Sequence, residues 1–374
     1  MRQTLAVLLM DPYAPCAMRQ AVRVDAFEPR VYAQAALRPK DGGVGCTPAE
    51  RLADACFVAQ GVALLSLLFQ HSAALHLPAD LSAAQALPWG QQLAAAASRL
   101  PALRSREGAC TPRTLDGLLS GTPTSRSQHR LTGDVYVELL EDVRALQPDA
   151  QHRARLASTG GAYAGAWLGV LPLNDGSTAL PHEYRIALCL RLGAPLAELT
   201  HGELRCPSCG LVLDVYGFHP GTCKKGNVDY AWTQRSERLE GALAFVARRM
   251  GVHAVVVGSS NWFGMAGWDP RARNGKGAFR RADVVFPGFN GGGQRHLYAD
   301  VAITDGANAA AVASNGGNVT VVGVAAANRE AAKVRKYKPI CDRLGATFKP
   351  GVIERGAHCG DGMCSIIKLL TGDL

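Results

Sequence analysis

Two aspartates stand within short apolar segments of the C-terminal half, where isolated carboxylates are uncommon. Asp283 belongs to the segment 281–286 (RADVVF) and Asp300 to the segment 297–304 (LYADVAIT). If these segments are paired strands, the two carboxylates lie side by side on one face, with about 5 Å between their Cβ atoms. Carboxylates this close repel each other unless a cation lies between them. The pair can therefore hold the divalent cation that phosphodiester hydrolysis requires. The alternative for each aspartate alone is a strand end or a turn cap.

A basic helix is expected after these segments and would provide the positive charge that such a reaction also uses. In the segment 328–337 (NREAAKVRKY), helical spacing places Lys333 on one face with Tyr337 and about one turn from Lys336. Either lysine can approach a scissile phosphate. Glu237, on the helix expected before the first strand, is a further acid that can approach the site. The alternative for the helix and for Glu237 is a solvated, charged surface.

Four residues between positions 206 and 223 have the types and the spacing of a zinc site. Two residues separate the first ligand from the second, nine the second from the third, and three the third from the fourth. These ligands are Cys206, Cys209, His219 and Cys223. Three thiolates and one imidazole complete a tetrahedral site with no open position, as structural Zn²⁺ prefers. The segment therefore predicts a zinc knuckle that stabilises the fold. A redox-active or incidental cysteine pair is the alternative, and it explains neither the histidine nor the last cysteine.

The hydrophobic pattern indicates the elements that must position these side chains. Gly210 and Gly217 are expected to provide the bends of the knuckle. Beyond the knuckle, apolar runs alternate with helical periodicity, an order typical of an α/β domain. In chain order, we expect a helix over 233–250, strands over 252–257, 281–286 and 296–304, a basic helix within 319–340, a strand over 347–354 and a helix over 363–370.

The N-terminal 200 residues are predicted to be mostly α-helical, and none of their histidines is an expected ligand. The apolar run 53–69 is interrupted by Asp54 and Gln60, so a buried helix fits it better than a membrane span. Gly, Ser, Thr, Pro and Arg dominate 107–130, a composition typical of a linker. The expected helices cover 47–74, 80–105, 132–146 and 181–192.

These patterns divide the chain into four segments. Residues 1–160 form a helical region, 161–204 a helical connector, 205–225 the zinc knuckle and 226–374 the α/β domain.

Charge is concentrated in the C-terminal half. The chain has 374 residues, 48% of them hydrophobic and 19% charged, which is typical of a globular protein. Residues 201–374 contain 22 Lys and Arg against 14 Asp and Glu, which accounts for +8 of the net charge of +9. Such a basic half fits a polyanionic partner, and a solvated basic surface is the alternative. The residues expected to face nucleic acid are Lys224, Lys225, Arg235, Arg280 and Arg281.

The cysteine count points to a compartment. Eleven is an odd number, and residues 1–23 lack a basic start followed by an apolar run and a small-residue cleavage site. Reduced cysteines in an intracellular protein fit this pattern better than a secreted disulfide framework.

The order of these features resembles the C-terminal region of certain non-LTR retrotransposon polyproteins. The shared features are the knuckle, a helix with a basic–acidic pair, an Arg-x-Asp strand, a second Asp strand and a Lys-x-x-Lys-Tyr helix. Residues 162–196 are also similar to the stretch before the knuckle in such proteins, and 42–45 with the helix after it to the region just past the polymerase. These polyproteins carry a restriction-like endonuclease of the PD-(D/E)XK superfamily downstream of their reverse transcriptase.

The resemblance implies an α/β nuclease core with a mixed central sheet flanked by helices, and a role for each residue. Asp283 and Asp300 would be ligands of Mg²⁺ or Mn²⁺, and Glu237 the acid on the first helix. Most members place the lysine two residues after the second acid; here that position is Ala302, so Lys333 or Lys336 would supply the charge. The sequence departs from the family pattern in two further ways. Ala282 stands where the family has Pro, and Arg235-Ser236-Glu237 stands where a triplet that contains His is expected.

The resulting hypothesis is a zinc-containing, Mg²⁺-dependent endonuclease that nicks DNA and leaves a 3′-hydroxyl. No Tyr-x-Asp-Asp polymerase motif occurs, so reverse transcription would need a separate polymerase and the chain would be a retroelement fragment. The partner would be DNA, with RNA as an alternative, and chromosomal DNA would imply the nucleus. A catalytically inactive nucleic-acid-binding module and a decayed element remain the alternatives.

Overall fold

The described part of the chain forms two compact units. The first contains Tyr32–Arg38 and Val44–Leu146, and the second contains 28–31, Pro39–Gly43 and Gln147–Leu374. The predicted segment 1–160 contains the first unit and parts of the second, and the three later segments all lie in the second unit. The computed structural model describes residues 28–75, 84–104, 110–111, 113–119, 127–170, 178–200, 203–219, 223, 228–256, 282–289, 296–314 and 320–372.

The first unit is helical, as its composition predicts. Its elements are most of α1 (Pro29–Ala36), α2 (Ala49–Leu75), α3 (Pro88–Arg99), a short antiparallel pair of β1 (Leu103–Arg104) and β2 (Cys110–Thr111), α4 (Leu115–Leu119) and α5 (Ser127–Ala145).

The long helix α2 is the centre of the first unit. It packs against α3, α4 and α5, and its buried side chains include Val58, Val62 and Leu65. The expected helix over 47–74 is therefore confirmed as Ala49–Leu75, but it is buried on one face only, and Phe57, Leu64 and Leu67 are exposed. Among the described residues, no helix is long and apolar enough to cross a membrane. The expected linker over 107–130 contains α4, whose leucines Leu115 and Leu118 are buried.

The second unit contains helices of different lengths, the knuckle and a four-stranded sheet. Its elements are α6 (Ala150–Ser158), a 3₁₀ turn (Ala166–Gly169), α7 (Pro181–Leu192), a second 3₁₀ turn (Ala197–Leu199), α8 (Val228–Arg249), β3 (Val255–Val256), β4 (Val284–Phe286), β5 (Leu297–Thr304), α9 (Ala309–Ser314), α10 (Val324–Arg343), β6 (Thr347–Glu354) and α11 (Asp361–Thr371).

The sheet is mixed and has the order β3-β4-β5-β6. β4 pairs antiparallel with both β3 and β5, whereas β5 and β6 are parallel along eight residue pairs from Leu297↔Thr347 to Thr304↔Glu354. Parallel neighbours require a crossover, and α10 provides it. The mixed α/β architecture expected from the sequence is confirmed at this level of detail.

Both faces of the central strand β5 are covered, which explains its nearly continuous burial. On one face, Leu297, Ala299 and Val301 join a core with α8 and α11. On the other face lies α10, and Tyr298 packs there with Cys341. Because successive side chains alternate between the faces of a strand, Asp300 points to the α10 side with Tyr298.

The start of α10 is held by a buried carboxylate from the neighbouring strand. Glu354 Oε1, at the end of β6, accepts a hydrogen bond of 2.8 Å from the backbone N–H of Ala326. A carboxylate at this position satisfies an otherwise free donor and complements the positive end of the helix dipole. This contact fixes α10 relative to the sheet and so positions the side chains that α10 directs at β5.

Candidate functional site

Asp283 and Asp300 face each other at the centre of the sheet. Val284 pairs with Ala299, so the antiparallel register places Asp283 opposite Asp300. The backbone N–H of Val301 donates to Asp283 Oδ2 at 2.7 Å, which fixes that carboxyl beside β5. The two carboxyl groups are close enough to share a hydrogen bond. The side-by-side arrangement expected of a hairpin is therefore present.

Lys333 of α10 neutralises one of the two carboxylates. Its Nζ donates to Asp300 Oδ2 and, at 3.2 Å, to the carbonyl oxygen of Val301. The Lys333 and Asp300 side chains are 9% and 8% exposed, respectively. Lys333 lies on the buried stripe of α10 with Tyr337 and Cys341, where helical spacing would normally place apolar residues. A charged residue in that stripe is retained because it has a buried partner.

The acidic pair lines an open cavity of about 340 Å³. Cations from α10 contribute to its wall, and Lys336 Nζ lies 2.7 Å from the hydroxyl of Tyr337. The cavity therefore combines acidic and basic groups around one space. Its walls are formed by Ser236, Glu240, Asp283, Asp300, Val301, Arg329, Ala332, Lys333, Lys336 and Tyr337.

The acid that α8 directs toward this cavity is Glu240. Glu237, which the sequence analysis places at the site, is exposed and does not line the cavity. Glu240, three residues further along the helix, lines the cavity instead. Ser236 and Glu240, four residues apart, share the face of α8 that meets the sheet. Glu237 lies about 100° away from Ser236 around the helix axis and points elsewhere.

The surroundings of Asp283 favour its protonated form. Burial raises the pKa of the Asp283 carboxyl to about 8, and the negative charges of Asp300 and Glu240 act in the same direction. The hydrogen bond from the N–H of Val301 acts in the opposite direction but is outweighed. A carboxyl group in this environment gains strongly from a bound cation, which removes the repulsion from its acidic neighbours.

The four predicted zinc ligands converge. Their ligand atoms all lie within 4.8 Å of one another. Among the described residues, these four side chains form a group of His and Cys that could hold a metal ion. Cys206 Sγ lies 3.7 Å from Cys223 Sγ, and Cys209 Sγ lies 3.1 Å from His219 Nε2. Zn–S bonds of about 2.3 Å in a tetrahedron require about 3.8 Å between two sulfur atoms. The cluster thus fits Zn²⁺, as the sequence predicts.

Backbone geometry preforms this cluster. Gly210 and Gly217 have φ values of 74° and 71°, the left-handed conformation that favours glycine, so the expected bends are confirmed. The backbone N–H of Ser208 lowers the pKa of the Cys206 thiol to about 6, which favours the thiolate that binds metal. Sequence reasoning missed Asp214, whose carboxylate accepts from the backbone N–H of His219 at 2.6 Å and orients that ligand. An aspartate shortly before a turn, where its carboxylate can accept from backbone N–H groups, was the available signal.

The residues expected to face nucleic acid are only partly described. Lys224, Lys225, Arg280 and Arg281 lie outside the described residues. Arg235 is exposed on α8.

Comparisons with known proteins returned no relative from which a role could be transferred. No family model matches the sequence, and neither the curated proteins nor the solved structures contain a match. The geometry of the two sites is therefore the evidence that bears on function.

Proposed function

We propose that this chain is a metal-dependent endonuclease that hydrolyses a phosphodiester bond of DNA. One observation carries the proposal: two carboxylates and a buried lysine from three different elements meet at the wall of one cavity. Asp283 precedes β4, Asp300 lies in β5 and Lys333 lies in α10. Burying charged groups costs free energy, because they lose their hydration. Ionisable groups with perturbed pKa values in a cleft are typical of functional sites.

The two aspartates would hold Mg²⁺ or Mn²⁺. Mg²⁺ keeps several of its waters and is usually held by one or two protein carboxylates, so this pair is sufficient. When bound, the metal ion supplies Lewis acidity toward the phosphate and a water of lowered pKa. Asp283 must lose its proton to act as a ligand, and the hydrogen bond from the N–H of Val301 keeps its carboxylate in place.

The lysines and Arg329 would act on the nucleic acid. Lys333 donates to Asp300 and to a backbone carbonyl, so it orients the carboxylate from within the fold. Lys336 and Arg329 line the same cavity and are exposed, which leaves them able to contact a phosphate. Positive groups placed beside a phosphate stabilise the charge that develops during its hydrolysis.

The knuckle would contribute stability rather than chemistry. Its cluster has four protein ligands and no open coordination position, which is the pattern of structural zinc. Binding of the metal ion supplies folding free energy to a segment that otherwise has little core of its own. The basic charge of residues 201–374 supports a nucleic-acid partner for the same unit.

A plasmid-nicking assay tests the proposal. Supercoiled plasmid is incubated with the zinc-loaded protein and Mg²⁺ or Mn²⁺, and Asp283→Asn is compared with wild type. Loss of a metal ligand should reduce nicking by more than about 100-fold, since even groups behind the ligands contribute 10- to 100-fold. Asp342→Asn is the matched control, because Asp342 is an exposed carboxylate paired with Lys338 on the far end of α10.

The outcomes separate the alternatives. Equal nicking by wild type and Asp283→Asn, or no nicking by well-folded wild type with either metal, would overturn the nuclease proposal. Salt-dependent DNA binding without nicking would instead indicate a binding module that retains the nuclease-like site. Neither binding nor nicking would indicate a decayed element.

A further inference from the structure

A second cavity of about 280 Å³ lies within the second unit and shares no residue with the acidic cavity. Its walls come from α6, α7, the 3₁₀ turn Ala166–Gly169, the knuckle and the segments after β5 and β6. Small-molecule sites begin at about 300 Å³, so this cavity suits one planar ring system rather than a large cofactor.

Three aromatic side chains line the cavity. Trp167 is partly exposed, and its ring packs edge-to-face on Tyr184 with 5.5 Å between centroids. Tyr216 and Phe218, from the knuckle, both pack edge-to-face on the ring of His152, at 4.7 and 5.2 Å. These contacts hold the rings in fixed orientations, so they can act as stacking surfaces without further ordering.

The same cavity carries an excess of positive charge. Arg355 lines it and pairs with Asp305, with 3.3 Å between Nη1 and Oδ2. Arg235, on α8, is not among the wall residues, but burial and the nearby charge of Arg355 lower its pKa, while Asp305 acts in the opposite direction. The walls therefore carry three guanidinium groups, those of Arg155, Arg191 and Arg355, against the one carboxylate of Asp305, and an anion in the cavity would relieve their repulsion.

Two further arginines form the inner wall and have structural roles. Burial lowers the pKa of Arg155 to about 9, and the neighbouring charges of Arg30 and Arg191 act in the same direction. Arg191 donates to backbone rather than to a ligand. Its acceptors include the carbonyl oxygens of Pro39, Gly43 and Ala164. The inner wall is thus rigid and positively charged, which adds to the preference for an anion.

We infer that this aromatic, basic cavity binds one unpaired nucleotide of a nucleic-acid strand, with the base between the aromatic rings and the phosphate at Arg355. The occupant must offer a flat apolar ring and an adjacent negative charge, and a nucleotide offers both. Base stacking on fixed aromatic rings combined with basic side chains is the general mode of single-strand recognition. The choice of a nucleic-acid strand over a free nucleotide rests on the proposed nuclease function.

The separation of the cavity from the acidic pair is one that a single nucleic-acid strand can span. Asp300 and Asp305 are five residues apart, with Asp305 directly after β5, so their Cα atoms are separated by about 17 Å. Stacked nucleotides advance about 3.4 Å each along a strand. An unpaired nucleotide in the cavity would then lie roughly five positions from the bond at the acidic pair.

A binding experiment with matched oligonucleotides tests the inference. Fluorescence anisotropy compares a thymidylate decamer with an abasic decamer of equal charge, in buffer without added Mg²⁺ or Mn²⁺. Stacking of one base is expected to make the thymidylate decamer bind about tenfold more tightly. A uridylate decamer in parallel distinguishes RNA from DNA as the source of the nucleotide. Because the binding test needs no cleavage, its outcome is independent of the nicking assay. The preference for bases can be absent from a protein that nicks DNA, and it can be present in a protein that does not.

Variants assign the effect to the cavity. Trp167→Leu should remove the tenfold preference for bases, and Trp89→Leu, at an exposed tryptophan of the first unit, should leave it intact. Ala187→Phe, which fills the cavity, should have the same effect as Trp167→Leu. It replaces Trp167→Leu as the test if Trp167→Leu does not fold. Arg355→Gln should weaken both oligonucleotides and reduce the salt slope by about one. Equal affinity of wild type for both decamers, or a preference that survives in both folded cavity variants, would overturn the inference.

Discussion

Replacing Asp283 with asparagine is expected to stabilise the metal-free protein, and more strongly as the pH rises. The amide oxygen can still accept the hydrogen bond that the N–H of Val301 donates to Asp283 Oδ2 at 2.7 Å. The amide nitrogen can donate to Asp300, as a protonated carboxyl group does. The variant therefore keeps the contacts of protonated Asp283 and cannot ionise.

The magnitude follows from the difference in pKa between the folded and unfolded chain. The pKa of Asp283 is raised to about 8 in the fold, whereas an unfolded aspartate has a pKa of about 3.9. Between pH 5 and 7, the folded state therefore holds a proton that the unfolded state has lost. Stability of wild type falls with rising pH by about 1.4 kcal/mol per unit, since one proton is released on unfolding. The variant does not lose stability in this way. The difference in free energy of unfolding between the variant and wild type should therefore grow by about 3 kcal/mol from pH 5 to pH 7 and stop growing above about pH 8.

Urea unfolding at pH 5, 6 and 7 measures this advantage. The protein is kept zinc-loaded, without added Mg²⁺, and unfolding is followed by circular dichroism. Asp342→Asn is the control, because Asp342 is 55% exposed and pairs with Lys338 at the surface of α10. Its stability difference from wild type should be nearly independent of pH.

Two results would refute the reasoning. A difference between Asp283→Asn and wild type that stays constant from pH 5 to 7 would show that Asp283 is ionised in the fold. A difference that shrinks as the pH rises would show that its pKa is lowered.

A further measurement bears on the metal: Mg²⁺ at pH 7.5 should stabilise wild type in a concentration-dependent way and leave the variant unchanged.

Two further predictions concern the ion pair and the knuckle. Lys333→Met should destabilise the protein by about 3–5 kcal/mol, because it leaves Asp300 buried without its partner. Combining it with Asp300→Leu should recover most of that loss in urea unfolding, and a double variant no more stable than Lys333→Met alone would contradict the buried pairing. Cys206→Ser should reduce the zinc content from about one ion per chain, measured by elemental analysis after dialysis, and lower the melting temperature. Cys46→Ser, outside the cluster, should retain the metal, and equal zinc content in both variants would exclude the proposed site.

Local sequence was sufficient for the features that depend on neighbouring residues. The knuckle ligands lie within eighteen residues, so their spacing and two glycines largely determine how they converge. The expected bounds of α7 and β6 agree with the structure at Pro181–Leu192 and Thr347–Glu354. In α7, Pro181 occupies the first turn and Gly193 ends the helix in the left-handed conformation, and both are local signals. The pairing of Asp283 with Asp300 was also predictable, because an antiparallel register fixes which residues face each other.

Tertiary packing decided which of several similar residues reach the site. Glu237 and Glu240 belong to one helix, and only the contact of α8 with the sheet selects Glu240. Lys333 and Lys336 are equally basic, yet the buried stripe of α10 directs Lys333 onto Asp300. Helical periodicity gives the relative angle between residues and not the side that faces a neighbouring element.

The aromatic cavity was not visible in the sequence at all. Its walls include Arg155, Trp167, Phe218 and Arg355, which are separated by up to 200 positions and carry no common motif. Each of these residues alone has an ordinary role in a core or at a surface. Spacing along the chain encodes only contacts that the local backbone conformation can make, so a cavity built from distant segments exists only once the whole unit has folded.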